Sequence, residues 1–474
     1  MNLRINRGKL IKDGGEGYIY ETPDNSNLLM KLYKEKDLSG NTIVTNELDS
    51  KLKYMVDNPP EVLVSKGIIA WPMKRLNDKH GNLAGFIMPR LDFDEHIQQI
   101  YSYRHPTLEA AEYQKFPSIE SRIKTAINLC SAIDELQRKG YVFGDFNHHN
   151  IGVNYSTGQI YFMDCDSFHI TDNTGVVYRT NVIMPGYLAP EIISHCRKER
   201  AEGRPYSLDK VALPTFTKES DLFCLAVHIF KLLMNGVDPF KGVKNEAEGS
   251  DAAPFHGNEA IERNTYVFRE GYKPSAVFCP PADTLPPEIQ DLFNAAFIYG
   301  KPISIQRPSA ADWYITLNRF LSSELVQCSN NKKHQYYKHL TECPYCITDD
   351  RHLTMQVKMS GIAPSNENAF IDENARIKSN KPGWEKIKHQ FDSYTKNHKG
   401  NWFLLISAIL CALITVTSTY IYIPFSLIYL LMATVLFVLF FKWKSKVTIK
   451  MKVIICLAIV VTSILSFAFA AGLL

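Results

Sequence analysis

Between Gly140 and Asp166 the chain sets Asp145, Asn150, Asp164 and Asp166 at the ends of short apolar runs. Asp145 lies five positions before Asn150, and Ile151-Gly152-Val153 follows directly. Tyr161-Phe162-Met163 then leads into Asp164-Cys165-Asp166. Short apolar runs bounded by turn residues read as buried strands. A carboxylate at the end of such a strand is held by a rigid element, which suits a metal ligand or a catalytic base. Alternation along an extended strand predicts Asp164 and Asp166 on one side. Whatever fold this chain adopts must bring these turns together.

Upstream, strand-like alternation surrounds Gly14-Gly15-Glu16-Gly17-Tyr18-Ile19-Tyr20, where glycines let backbone N–H groups approach phosphate oxygens. Leu28-Leu29-Met30-Lys31-Leu32-Tyr33 follows, a strand pattern with one Lys in an apolar setting. Glu47, in the helical stretch TNELDSKLKYM, is the first candidate to pair with Lys31, and Asp49 is the second. Downstream come Met184-Pro185-Gly186-Tyr187-Leu188-Ala189-Pro190-Glu191, then Glu219-Ser220-Asp221-Leu222-Phe223 entering an apolar helix, then Gln306-Arg307-Pro308-Ser309.

This ordered set resembles the protein kinases. Asp145 and Asn150 match the Asp and Asn of the catalytic loop H-R-D-x-x-x-x-N, Asp164 matches the Asp of D-F-G, and Ala189-Pro190-Glu191 matches A-P-E. Arg307 resembles the Arg that pairs with the A-P-E Glu, here Glu191. The resemblance implies an α+β two-lobed kinase-like fold, with a small lobe over 1–88, a helical lobe over 89–325 and a hinge near Met88-Pro89-Arg90. It also implies ATP and Mg2+ as cofactors. Gly14, Gly15, Gly17 and Lys31 would hold phosphates, with Met88 at the nucleotide. Glu47 would orient Lys31, Asp145 would act on the acceptor hydroxyl, and Asn150 and Asp164 would hold magnesium. Asp166 is a candidate second magnesium ligand, with a solvated turn residue as the plain alternative.

The pattern also departs from the family. Lys12 replaces the first loop glycine, Phe143-Gly144 replaces His-Arg, Asn147 stands where many Ser/Thr kinases carry Lys, and D-F-G reads Asp-Cys-Asp. Asp164-Cys165-Asp166-Ser167-Phe168 is similar to the D-x-D-S-F of a group of bacterial membrane-anchored Ser/Thr kinase-like proteins. The function implied is a Ser/Thr-type protein kinase, its protein substrate unread. The alternatives are a pseudokinase scaffold and, more weakly, a small-molecule kinase.

Past this region, Cys328, His334, Cys343 and Cys346 offer a zinc set, with His339 a second candidate for the histidine. Two Cys separated by two residues make half of a tetrahedral site. The expectation is a knuckle over 326–347, then a polar linker over 348–400. From Trp402 to Phe441 no residue is charged. Lysines before this run and between 442 and 452 predict three transmembrane helices, about 402–420, 424–441 and 453–474, with the kinase-like part in the cytoplasm. The N-terminal stretch lacks the apolar core of a secretory leader. The lipid bilayer, here a plasma (inner) membrane, is therefore an expected partner. A net charge of +4 gives no reason to expect nucleic acid.

Overall fold

The computed structural model describes residues 6–37, 40, 42–101, 116–180, 184–202, 215–245, 254–299 and 306–359. The expected membrane segments over 402–474 and most of the expected linker lie outside these residues. Among the described residues no helix is long and apolar enough to cross a membrane.

The N-terminal region is an antiparallel five-stranded sheet. Its strands are β1 (Leu10–Asp13), β2 (Gly17–Thr22), β3 (Asn25–Tyr33), β4 (Lys74–Asn77) and β5 (Leu83–Pro89), in the order β1-β2-β3-β5-β4. Lys31 sits mid-sheet, opposite Ile19 on β2 and Phe86 on β5. Helix α1 (Asn46–Asp57) starts where Thr45 accepts a hydrogen bond from the Leu48 N–H, with Glu47 and Asp49 in its first turn. Its buried residues are Lys51, Leu52 and Met55, so a lysine occupies a core position.

The C-terminal region is helical. Its long members are α4 (Ile119–Arg138), α6 (Lys218–Leu233) and α9 (Ala310–Ser323). Between α1 and α4 lie α2 (Glu61–Ser65) and α3 (Gln98–Tyr101). Helices α5 (Pro190–Ala201), α7 (Gly257–Glu262) and α8 (Pro287–Phe297) complete the set up to α9. Thr217 and Ser220 form a capping box on α6, and Ser309 and Asp312 form one on α9. Helix α6 is buried nearly all round, as an apolar helix in a core must be. A small sheet of β6 (Glu95–His96), β7 (Ile151–Val153) and β8 (Ile160–Phe162) lies beside these helices. Reciprocal backbone bonds from Phe162 to Ile68 and from Ala70 to Phe162, each 2.8 Å, tie it to the segment leading into β4.

After α9 comes a hairpin of two strands, Leu325–Gln327 and Gln335–Tyr337, then helix α10 (Pro344–Met359). The expected linker start at 348 therefore falls inside a helix. Thr348 is fully buried and its hydroxyl donates to the Pro344 carbonyl at 2.7 Å, which carries the helix past the Cys pair. The mixed helix and sheet content fits a kinase-like fold.

Candidate functional site

Lys31 enters from β3 and is 6% exposed. Its ammonium donates to Asp164 at 2.8 Å and to both oxygens of Asp166 at 2.9 and 2.7 Å. Burial alone lowers the Lys31 pKa, but Asp164, Asp166 and Glu16 together raise it above the ordinary value. The described ion pairs of Lys31 are with Asp164 and Asp166, whereas the expected partner was Glu47. Asp49, the second candidate, pairs with Arg75 instead. Helix α1 reaches the site through Lys51, whose Nζ donates to the Asp166 carbonyl at 2.6 Å. Burial brings the Lys51 ammonium down to about 8 against the opposing pull of Asp166. The sequence carries a signal for this residue: Leu48, Lys51, Leu52 and Met55 share one helical face, and Lys51 is the charged member.

The two carboxylates do not meet by strand alternation. Strand β8 ends at Phe162, Asp164 takes a left-handed backbone (φ 54, ψ 40), and Cys165–Ser167 makes one 3-10 turn. Such a conformation is strained for a non-glycine residue and recurs at functional sites. The turn carries both carboxylates to Lys31 all the same, and it makes them unequal. The Asp164 side chain is 42% exposed and that of Asp166 only 4%. Lys31 holds the Asp164 carboxyl below the usual range. Phe168 ends the turn fully buried, with its ring 4.3 Å from Phe143 and 6.0 Å from Trp71.

Asp145 and Asn150 are both buried in the loop before β7. Asn150 Nδ2 donates to Asp145 Oδ2 at 3.1 Å and to the Asp145 carbonyl at 3.0 Å. The Met163 N–H donates to the Asn150 carbonyl at 3.0 Å, so this loop and the Asp164 turn lie side by side. Burial pushes the Asp145 carboxyl up to about 6, against its bonds to Asn147 and Asn150.

Two residues that depart from the family pattern have local reasons. Gly144 has φ 75, and a Cβ there would sit 2.4 Å from Thr180 Oγ1, so Arg has no room. Asn147 caps the turn His148–Asn150 by accepting from the His149 N–H at 2.8 Å. That polar role is met by a short side chain that a Lys could not supply.

Sequence reasoning passed over the clamp beneath this loop. Asp221, wholly inside α6, accepts from the Phe143 N–H at 2.6 Å and the Gly144 N–H at 3.1 Å. Burial pushes its carboxyl up to about 7, against the pull of those two N–H groups. His228, two turns further along the same face of α6, lies with Nε2 3.1 Å from the Phe146 carbonyl, and burial keeps the ring neutral.

The remaining expected residues are placed as follows. Gly14 and Gly15 form the turn between β1 and β2, where an added Cβ at Gly15 would meet nothing. Gly17 opens β2 and packs against β3, where a Cβ would lie 2.6 Å from the Leu32 carbonyl. Met88 is buried on β5 opposite Leu29, one residue before the strand ends. Arg307 and Glu191 form a bidentate pair, both bonds 2.8 Å, and Arg307 also donates to the Glu219 carbonyl at 2.9 Å. Arg307→Ala is expected to cost about 3–5 kcal/mol, because Glu191 loses its partner in a site where the Arg side chain is 1% exposed. Chemical denaturation of the variant checks this.

A second cluster lies on the hairpin and α10. One donor atom each from Cys328, His334, Cys343 and Cys346 lies within 4.8 Å of the others. Cys328 Sγ to Cys346 Sγ is 3.7 Å, Cys343 Sγ to His334 Nδ1 is 3.8 Å, and Cys346 Sγ to His334 Nδ1 is 3.6 Å. Zn–S bonds near ~2.3 Å and Zn–N bonds near ~2.0 Å in a tetrahedron give edges of about 3.5–3.8 Å. A disulfide needs sulfurs about 2.0 Å apart, so these thiols are unbridged. The hairpin chooses His334 over His339. The Asp349 carboxylate stands 3.6 Å from His334 Nε2, where it can orient the ring.

No family model matches the chain. Protein kinase YegI of Escherichia coli O157:H7 is 27% identical over 360 residues, which is 73% of this chain and 49% of that protein. Protein kinase YegI of Escherichia coli strain K12 is 26% identical over 357 residues, with the same shares. The chain spans about half the length of these curated relatives. The likeness supports a protein-kinase-like relationship for this chain.

Proposed function

We propose that the chain is an ATP-dependent protein kinase of the Ser/Thr type, tethered to the cytoplasmic face of a membrane by its 402–474 segment. The observation that carries the catalytic reading is the convergence of Lys31 from β3 with Asp164, Asn150 and Asp145 from two adjacent turns. Lys31 is a fixed cation in mid-sheet on β3, the strand paired with the β2 that follows the Gly14-Gly15 turn, suited to phosphate oxygens. Asp164, the exposed carboxylate, and the Asn150 side-chain oxygen are the oxygen ligands a magnesium ion requires. Bound magnesium-ATP would supply the transferable phosphoryl group and the charge that offsets it. Asp145 would orient the acceptor hydroxyl and take its proton, and burial has moved its carboxyl toward neutral pH, as a general base requires.

The test is transfer from γ-labelled ATP by the full chain, to itself or to test proteins, with and without magnesium. Magnesium-dependent labelling of hydroxyl side chains is expected. ATP binding without any transfer would leave a nucleotide-binding scaffold. Transfer to a small-molecule hydroxyl alone would move the chain to a different class of kinase.

The tether rests on the charge-free run and its flanking lysines. A reporter fused after Leu474 is expected to read outside and one within 442–452 inside. A cytoplasmic reading at the C-terminus would overturn the three-span topology.

For the Cys/His cluster we propose a structural zinc ion, held by all four side chains. A closed set of protein donors leaves no open position for chemistry.

A further inference from the structure

We propose that Asp166 is the positioning residue for Lys31, doing the work that the kinase pattern gives to an acidic residue of helix α1. This rests on the phosphotransfer reading only in its nucleotide arm.

The Asp166 carboxylate is engaged at both oxygens. Both oxygens accept from Lys31, and Oδ2 also accepts from the Tyr33 hydroxyl at 2.7 Å. Its side chain is 4% exposed. A magnesium ligand needs open lone pairs that face water and phosphate, and magnesium keeps several of its waters. Asp166 has no such face, whereas Asp164 spends one oxygen on Lys31 and keeps a solvent-facing side. The two carboxylates thus divide the labour: Asp164 is available to metal, and Asp166 stays with the lysine.

Helix α1 is built for this division. The helix residue that reaches the site is the cation Lys51, bonded to the Asp166 carbonyl. A lysine there cannot fix Lys31, but it can fix the peptide that carries Asp166. Tyr33 lies two positions beyond Lys31 on β3, on the same face of the strand, and its hydroxyl holds the carboxylate from the other side. The chain Lys51, Asp166, Lys31 runs from helix to turn to strand. It replaces a direct link from helix to strand. The aspartate two residues after Asp164 therefore has a role that D-F-G has no side chain to perform.

The experiment uses the full chain in detergent and has two arms. In the first, an amine-acylating reagent is applied without nucleotide, and modification of Lys31 is followed by mass spectrometry. Asp166→Asn is expected to raise Lys31 labelling about tenfold, the scale of one lost charge-assisted hydrogen bond. Asp166→Glu should restore part of the protection, and Glu47→Gln should leave labelling as in the parent. Increased labelling in Glu47→Gln, with none in Asp166→Asn, would overturn the proposal.

In the second arm, binding of a fluorescent ATP analogue is measured with magnesium and with EDTA. Asp166→Asn should weaken binding in both conditions, and Asp164→Asn chiefly with magnesium. If the Asp166→Asn defect appears only with magnesium and excess magnesium cures it, Asp166 is a metal ligand and the proposal falls. A parent chain that binds no nucleotide would sink the kinase reading, while the labelling arm would still decide the role of Asp166.

Discussion

Stripping zinc from the full chain, or replacing Cys343 with Ser, is expected to lower its thermal midpoint by several degrees. The scale is about 2–4 °C for each kcal/mol lost in a domain of a few hundred residues. Metal analysis should find one zinc per chain in the parent and little in Cys343→Ser. The four donors come from three places: Cys328 after the first hairpin strand, His334 before the second, and Cys343 and Cys346 at the start of α10, one just before the helix and one in its first turn. Without the ion, three thiols and an imidazole would be packed together with only weak hydrogen bonds between them.

The hairpin is itself docked on the helical region. Gln335 exchanges two bonds of 3.1 Å with Glu120 at the start of α4, and Tyr337 packs on Phe320 of α9. Loss of the metal should therefore free α10 first and loosen the α4 end second. Hydrogen exchange would rise in α10 before it rises in α6. A parent chain with no bound metal and a midpoint indifferent to chelators would remove zinc from this account.

Much of the site was legible in the sequence because it is local. Asp145 and Asn150 are five residues apart in one loop, and their side chains bond each other. Glu191 and Arg307, though far apart in sequence, were legible through the motifs around them. What the sequence concealed depends on side-chain direction. Glu47 and Lys51 lie about one helical turn apart on the same side of α1, and propensity does not say which of them comes level with the Asp166 turn. The packing of Leu52 and Met55 against the core turns Lys51 inward. The Asp164 turn was misread as continued strand because Met163-Asp164-Cys165-Asp166 alternates in polarity. The left-handed backbone at Asp164 breaks that alternation. Asp221 was hidden by its setting, since an acid in the first turn of a helix reads as an ordinary helix-start charge until the two N–H groups it serves are in view. The polar residues from 348 on read as linker, whereas Thr348 is buried and the helix begun at Pro344 runs on to Met359.

Asp145→Asn and Asp164→Asn are expected to separate chemistry from nucleotide binding. Asp145 touches Asn150 and no cation among its hydrogen-bond partners, so its loss should leave ATP affinity nearly unchanged. Transfer should fall about 10²–10⁴-fold, the usual contribution of a positioned general base. Asn is close in size to Asp and can still accept from Asn150, so the loop held by Asp221 and His228 should keep its shape. Asp164→Asn should instead abolish magnesium-dependent turnover, because it removes the exposed carboxylate while Lys31 keeps Asp166. Residual ATP binding in that variant should become insensitive to magnesium. The measurements are transfer rate and ATP affinity for both variants over a range of magnesium concentrations. Equal loss of affinity in the two variants would mean that Asp145 acts on the nucleotide rather than on the acceptor. Undiminished transfer in Asp145→Asn would remove it from the chemistry altogether, leaving its burial and its bond to Asn150 as loop architecture.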